Sequence, residues 1–212
     1  MSYKSERYQL AAPTLIKNFE RRGMDACYCE TSKEAFDKVL SLIPEGASVT
    51  TGGSETLQET GILKALTTGP YEFIDRKSAK TKEEARALYG KIVCSDYYLM
   101  STNAFTKNGE LVNLDGNGNR VACLINGPEH VIIVTGMNKL TESVEDAIVR
   151  IRDHAAPPNA VRVGCQDTAC MKTGVCGQCL SNDCICCQLV ITRKSRHPGR
   201  IMVILVGEDL GF

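Results

Sequence analysis

The sequence predicts an α/β protein with a mostly parallel sheet and helices on both faces. Short apolar runs of strand composition alternate with stretches of helical periodicity along the 212 residues, which is the pattern of βαβ units. The run at 131–135 (VIIVT) is apolar throughout, as expected of a strand buried on both faces. Asn108-Gly109 lies between two extended runs. That dipeptide is a strong hairpin signal, so an inserted β-hairpin adds an antiparallel component.

The strands are predicted from their β-branched and aromatic content and from the turn residues around them. In chain order they are 26–30, 47–51, 71–75, 98–106, 110–115, 131–135, 189–192 and 201–206.

Capping residues place the first helices. Pro13 suits a first helical turn and Gly23 suits a stop, which predicts a helix over 13–22. Capping boxes at 31–34 (TSKE) and 81–84 (TKEE) open helices that run to about residue 42 and through residue 88. The glycines at 52 and 53 turn the chain into a short helix that ends near Gly61.

A further helix is predicted over 142–155. Thr141 would cap it, and its apolar positions recur at helical spacing. Pro157-Pro158 would end it, because proline disfavours helical geometry in the residue before it.

Composition favours a soluble globular protein, with 43% hydrophobic and 24% charged residues. Lysine plus arginine and aspartate plus glutamate both number 25, so no nucleic-acid partner is indicated. The polar segment 1–10 has no signal-peptide character, and the apolar run 201–206 is too short to cross a bilayer. We therefore expect a cytoplasmic protein without a membrane partner. Since no linker is evident, residues 1–212 are predicted to form a single domain, and a homo-oligomer is left open.

Two glycine-containing loops are candidate anion sites. The loop at 50–55 (TTGGSE) lies between a strand and a helix, where free N–H groups favour an anion; a plain tight turn is the alternative. The loop at 115–120 (DGNGNR) lacks the third glycine of a dinucleotide site, and Arg120 could be a bidentate partner for a phosphate or carboxylate. Routine core hydrogen bonding is favoured for the polar residues at 101–103. The candidate ligand-binding residues are Gly52, Gly53, Ser54, Glu55, Asn103, Asp115, Gly116, Gly118, Asn119 and Arg120.

Cysteine is concentrated near the end of the chain, with seven of the eleven residues between Cys165 and Cys187. In a reducing compartment such a cluster indicates metal binding or redox chemistry before disulfides. Cys176-Gly-Gln-Cys179 is one CxxC pair, and four thiolates suit a [4Fe–4S] cluster or a structural zinc. Cysteines without a metal are the alternative.

Several short motifs together resemble the LUD-domain (lactate utilisation) family, in its stand-alone form with a cysteine-rich C-terminal segment. They are TGGSETL at 51–57, ETGI at 59–62, DY at 96–97, NA at 103–104, Gly109, LDG at 114–116, GNR at 118–120 and GxNK at 136–139. The resemblance implies the fold of ribose-5-phosphate isomerase and CoA-transferase relatives. It also implies a metal pattern C-x5-C-x2-C-x6-C, which here selects Cys170, Cys176, Cys179 and Cys186, within the cysteine-rich segment 165–187.

Three functions follow as hypotheses. The first is an accessory redox protein of lactate or related organic-acid utilisation, with a [4Fe–4S] cluster, a pocket for a small anionic metabolite and iron–sulfur partner proteins. The second is a non-redox enzyme that acts on a phosphorylated or carboxylated metabolite and has a structural zinc. The third is a non-catalytic regulator whose cysteines sense redox state.

Overall fold

In the computed structural model, which describes residues 2–212, the strands form two sheets. Met1 of the polar N-terminal segment lies outside the described residues. The strands are β1 (Asp25–Cys29), β2 (Ser48–Thr51), β3 (Glu72–Phe73), β4 (Tyr97–Met100), β5 (Ala104–Thr106), β6 (Leu111–Asp115), β7 (His130–Gly136), β8 (Leu140–Thr141), β9 (Gln188–Thr192) and β10 (Ile201–Val206).

The helices connect these strands, and most of them cover the larger sheet, whereas the one at Val144–Arg150 packs on the second sheet. They are α1 (Tyr3–Arg21), α2 (Ser32–Leu42), α3 (Glu55–Glu59), α4 (Ile62–Thr68), α5 (Lys82–Val93), α6 (Asn119–Ile125), α7 (Val144–Arg150), α8 (Ala156–Val163) and α9 (Ala169–Thr173), with a 3₁₀ turn at Met137–Lys139 and a π turn at Ile151–Ala155. Among the described residues no helix has both the length and the apolar character that crossing a membrane requires.

The larger sheet has six parallel strands in the order β1-β10-β7-β4-β2-β3. Alternate residues of β7 enter different cores: Val131 and Ile133 face one side, and Ile132 and Val134 face the other. Helices α1, α5 and α6 pack on the first side, and α2, α3 and α4 pack on the second. The predicted α/β class, the parallel sheet and its coverage on both faces are therefore confirmed.

The second sheet has the order β8-β5-β6-β9 and mixes parallel and antiparallel pairs. Its β5–β6 pair is the predicted Asn-Gly hairpin. The predicted continuous strand over 98–106 is wrong, because the chain leaves the six-stranded sheet at 101–103 and starts β5 in the other sheet. Polar residues at 101–103 mark this crossing.

The first helix begins earlier than predicted. A capping box between Ser2 and Ser5 opens α1, and its buried face is Tyr8, Ala12, Leu15 and Phe19 at helical spacing. Pro13 lies inside the helix rather than in its first turn, on the solvent-exposed side. The prediction failed because a serine at the third helical position is a weaker signal than the glutamate of a typical capping box.

The prediction that Pro157-Pro158 ends a helix is also wrong. Ser143, not Thr141, caps α7, and the helical path continues through the π turn at Ile151–Ala155 into α8. The π turn widens the helix just before the two prolines, which have no N–H to donate to a preceding turn. The helices α4, α6 and α9 were not predicted, since none of them is longer than seven residues.

Candidate functional site

The candidate site lies at the carboxyl ends of β2, β4 and β7, which are neighbours in the centre of the six-stranded sheet. The segments that follow these strands are 52–54, 101–103 and the 3₁₀ turn at Met137–Lys139. Open parallel sheets bind ligands at this edge. A cavity of about 290 Å³ opens here, between these segments and the loop after β6.

Both predicted anion loops reach this cavity, and eight of the ten predicted ligand-binding residues line it. They are Gly53, Ser54, Glu55, Asn103, Asp115, Gly116, Asn119 and Arg120. Ser54 caps α3, but that helix has only five residues. A helix this short has a weak dipole, so positive charge for an anion must come from side chains.

The remaining two predicted residues, Gly52 and Gly118, do not line the cavity but allow its walls to pack closely. A Cβ atom added to Gly52 would lie 2.9 Å from Tyr98 Oη and 3.3 Å from Arg120 Cδ, so glycine allows these side chains to pack against the loop. Gly118 adopts a φ of +78° at the start of α6, and its N–H donates to Asp115 Oδ1 over 3.0 Å. That conformation favours glycine.

Arg120 is largely buried, with 14% of its side chain exposed, and its hydrogen bonds join β6 to the segment 101–103 that links the two sheets. Its Nε donates to Asp115 Oδ2 over 3.1 Å, and its terminal nitrogens donate to Asn113 Oδ1, Asn103 Oδ1 and the carbonyls of residues 101 and 114. Burial lowers the pKa of Arg120, and the charge of Asp115 opposes that shift. Arginine has five N–H donors, and these five bonds use all of them. Arg120 therefore fixes the cavity wall and has no donor left for a ligand, in contrast to its predicted bidentate role.

Lys139 is the other buried cation of the site, and its surroundings differ. The residue is 3% exposed, and its Nζ donates to Thr56 Oγ1 and Ser101 Oγ, both over 3.1 Å. Among the described residues no carboxylate forms an ion pair with it. Burial lowers the pKa of Lys139 to about 7, with a smaller contribution from the charge of Arg150. The amine thus lies at the cavity wall, and in its charged form two of its three N–H groups have hydrogen-bond acceptors.

Two exposed arginines stand at the rim. Arg76, in the loop after β3, and Arg162, on α8, both line the cavity. A Cβ atom on Gly53 would lie 2.9 Å from Arg76 Nη2 and 3.7 Å from Arg162 Nη2, so both guanidiniums approach the glycine loop. Arg162 also donates to Asn159 Oδ1, which holds its side chain towards this face.

The last described residues close one side of the cavity. Gly211 packs so tightly that a Cβ atom there would lie 2.6 Å from Thr56 Oγ1 and 3.2 Å from Lys139 Nζ. Its N–H donates to Glu59 Oε2 over 2.6 Å. Arg150 braces the same wall, with Nη1 donating to the carbonyl oxygen of Asn103 over 2.8 Å.

A second cavity of about 520 Å³ continues from the rim, and it shares Gly53, Ser54, Arg76 and Arg162 with the first. Its far end combines the apolar side chains of Leu63, Phe73 and Ile74 with Lys64 and Lys77. The cleft therefore has a deep polar part and an outer part of mixed character.

The cysteine-rich segment borders the first cavity. Ile185, between Cys184 and Cys186, is part of the cavity wall. A Cβ atom on Gly116 would lie 3.2 Å from Ile185 Cα, and the Cys187 N–H donates to the Asp115 carbonyl oxygen over 2.9 Å. The segment is thus attached to the loop that carries Asp115.

The four predicted metal ligands are Cys170 on α9 and Cys176, Cys179 and Cys186 in the loop that follows. Burial raises the pKa of the Cys186 thiol to about 12, and the neighbouring charges of Cys184, Cys176 and Cys170 add to that rise. Backbone hydrogen bonds from Ala169 and Ser181 lower the pKa of Cys179. The thiols therefore gather in one region, and Cys184, outside the predicted pattern, lies beside both Cys179 and Cys186.

Four cysteine thiolates are the type of ligand that zinc and iron–sulfur clusters bind. A Cβ atom on Gly177 would lie 2.7 Å from the Ala169 side chain, so glycine folds the CxxC loop closely against α9, the helix that carries Cys170. Within residues 2–212, however, no three side chains of histidine, cysteine, aspartate or glutamate converge as a metal ion needs. The shared metal centre stays a prediction.

Sequence reasoning missed the positively charged residues of the cleft. Lys139 was noted only within the GxNK motif, and Arg76 and Arg162 were not singled out. A lysine three residues after an apolar, central parallel strand was the available signal for Lys139, because ligands bind at that end of a strand. Arg76 and Arg162 had no comparable signal, since they lie on segments far apart in the chain.

Comparison with known proteins gives a family and a fold. The family model described as LUD domain matches residues 12–206. A crystal structure of a DUF162 family protein from Deinococcus radiodurans is similar over 92% of this chain and 96% of that one, with a TM-score of 0.52 and 12% identity. A second structure, eIF2B delta from Chaetomium thermophilum, matches 53% of this chain and 49% of that one at a TM-score of 0.36 and 17% identity. No curated protein matches the chain.

Proposed function

From the premise that the chain belongs to the LUD-domain family, we propose that it binds a small anionic metabolite, a carboxylate or phosphate, in the cavity at the carboxyl ends of β2, β4 and β7. The supporting observation is Lys139. Its amine lies in the cavity wall with only two hydroxyl partners and no ion-paired carboxylate among the described residues. A buried ammonium is costly unless it is paired, so a bound anion would complete the site.

The balance of charge around the cavity supports an anion. Lys139, Arg76 and Arg162 contribute three positive groups. Of the two acidic side chains in the lining, Asp115 is already paired with Arg120, which leaves Glu55. A volume of about 290 Å³ is at the small end of the range of metabolite pockets. These features favour a compact ligand with one strongly charged end.

The role in organic-acid metabolism is the wider part of the proposal. The protein would act in the utilisation of lactate or a related acid, with Cys170, Cys176, Cys179 and Cys186 holding a [4Fe–4S] cluster that exchanges electrons with iron–sulfur partner proteins. Such a cluster would supply one-electron transfer. Contact between the cysteine-rich segment and the cavity wall at Ile185 supports a link between the two sites. We also propose a cytoplasmic location, because a reducing compartment opposes disulfide formation and keeps the thiols available as ligands.

Two alternatives keep the anion pocket and change the role of the cysteines. In one, the protein is a non-redox enzyme on a phosphorylated or carboxylated metabolite, and the thiols hold a structural zinc. In the other, the thiols bind no metal and form disulfides reversibly as a redox sensor. Metal analysis separates the three: about four irons per chain indicate a cubane cluster, about one zinc indicates the structural site, and neither metal indicates the sensor.

Calorimetric titration tests the anion site. Lactate and inorganic phosphate are titrated separately into reduced protein in an uncharged buffer at neutral pH. We expect one site per chain, with affinity for the preferred anion falling roughly 5- to 10-fold in Arg76→Ala and in Arg162→Ala. This is a loss of about 1–1.4 kcal/mol, because solvent exposure weakens a charge-assisted hydrogen bond. Both arginines are exposed, so neither change should disturb the fold.

Lys17→Ala is the matched control, because Lys17 is an exposed lysine on α1, an element that contributes nothing to the cavity lining. It should leave the affinity unchanged. If neither lactate nor phosphate binds, or if the two arginine variants bind as the wild type does, the cleft is not the anion site proposed.

A further inference from the structure

Lys139 has the surroundings of a nucleophilic amine as well as those of a counter-ion. Its Nζ donates hydrogen bonds to the hydroxyl oxygens of Thr56 and Ser101, each at 3.1 Å. The charged groups that face it are Arg150 from α7, Arg120 from α6 and Glu59 from α3. Two cations against one anion, together with 3% exposure, disfavour the ammonium form. An amine in such a site is partly neutral near pH 7 and can attack a carbonyl.

We propose that Lys139 forms a Schiff base with the carbonyl carbon of a small 2-oxo carboxylate bound in the cavity. This inference rests on the proposed anion site and names its ligand class. The arginines at the rim would take the carboxylate, and the carbonyl would lie deeper, at the amine. A carboxylate alone would satisfy Arg76 and Arg162, whereas a 2-oxo acid would in addition present an electrophilic carbon to the neutral amine.

The reaction is balanced without an added electron donor or acceptor. The lone pair of Nζ forms the C–N bond while the carbonyl π pair moves to oxygen, which takes a proton and gives a carbinolamine. The carbinolamine hydroxyl then leaves as water, and C=N forms. Thr56 and Ser101 lie within hydrogen-bond distance of Nζ, so their hydroxyls can accept the proton that nitrogen loses and return one to the departing oxygen.

The counter-ion role and the nucleophile role respond oppositely to pH. An ammonium that only pairs with an anion binds more weakly as pH rises and the proton is lost. Imine formation needs the neutral amine, so its initial rate rises over the same interval. The pH dependence of trapping therefore reports on the covalent step and not on binding alone.

Reductive trapping tests the proposal. Reduced full-length protein is incubated with glyoxylate or pyruvate and cyanoborohydride, and the adduct is located by peptide mass mapping. We expect a single adduct on Lys139 whose yield saturates with the oxo acid, whose rate rises about tenfold from pH 6 to pH 8, and which oxalate suppresses. Oxalate has no ketone or aldehyde carbonyl and competes only for the anion site.

Variants of Lys139 supply the controls. Lys139→Arg and Lys139→Met should lose the adduct, and Lys17→Arg should keep it, because Lys17 is exposed on α1. If a Lys139 variant fails to fold, the peptide mass map of the wild-type adduct still shows whether Lys139 is the modified residue. Adducts spread over exposed lysines while oxalate still binds by calorimetry would overturn the Schiff base and leave the anion site standing. Loss of both trapping and oxalate binding would overturn both.

Discussion

The free energy of unfolding should carry a pH-dependent contribution from Lys139 that Lys139→Met removes. Burial and Arg150 lower the pKa of this lysine from 10.5 to about 7 in the folded state. Below pH 7 the group is protonated in both states, and the full penalty of its burial is present. Between pH 7 and 10.5 the unfolded chain binds the extra proton, so stability rises with pH. Integrating between these values, the wild type should gain about 2–3 kcal/mol relative to the variant from pH 6 to pH 9.

Urea unfolding at several pH values in an anion-poor buffer with a reductant measures this difference. The quantity of interest is the stability of the wild type minus that of the variant at each pH, because contributions from other titrating groups cancel in it. Lys17→Met, an exposed position on α1, should give a difference that does not vary with pH. A flat difference for Lys139→Met as well would refute the reasoning, since it would mean that Lys139 titrates alike in both states.

Three other outcomes are expected. Arg120→Ala should destabilise the protein by about 3–5 kcal/mol in urea unfolding, because Asp115 would be left as a buried, unpaired charge. Gly52→Ala should cost about 1–3 kcal/mol in the same assay, since its Cβ atom would lie 2.9 Å from Tyr98 Oη. Calorimetric affinity for lactate should fall roughly tenfold from about pH 7 to pH 8.5 as Lys139 loses its proton.

The parts of the fold that sequence predicted are those set by local patterns. The apolar run in β7, the Asn-Gly turn between β5 and β6, and the capping box that opens α5 each specify an element through neighbours a few residues apart. The two errors at prolines arose because the structure tolerates each proline within a helix for a reason that the neighbouring sequence does not reveal. Pro13 is tolerated because it lies on the solvent side of α1, and Pro157 follows a π turn that no local motif announced.

In the candidate site, too, the residues set by local sequence patterns could be predicted and those set by long-range contacts could not. Residues 53–55 and 115–120 could be proposed from sequence because glycine and polar residues cluster there within a few positions. Lys139, Arg76 and Arg162 could not, because they come together only through the strand order β7-β4-β2-β3 and the return of α8 over the cleft. Sequence proximity carries no information about that order.

Arg120 and Lys139 show how two buried cations in one site come to have different roles. The Arg120 side chain is 14% exposed and Lys139 is 3% exposed, and burial lowers the pKa of both. Arg120 donates all five of its N–H groups to protein acceptors and pairs with Asp115, so its environment is complete without a ligand. Lys139 has three N–H groups in its charged form and two hydroxyl partners. In the two proposals its environment would be completed either by an anion that stabilises the charge or by a carbonyl that reacts with the neutral amine. The number of hydrogen-bond partners, more than the charge, distinguishes Lys139 as the candidate functional residue.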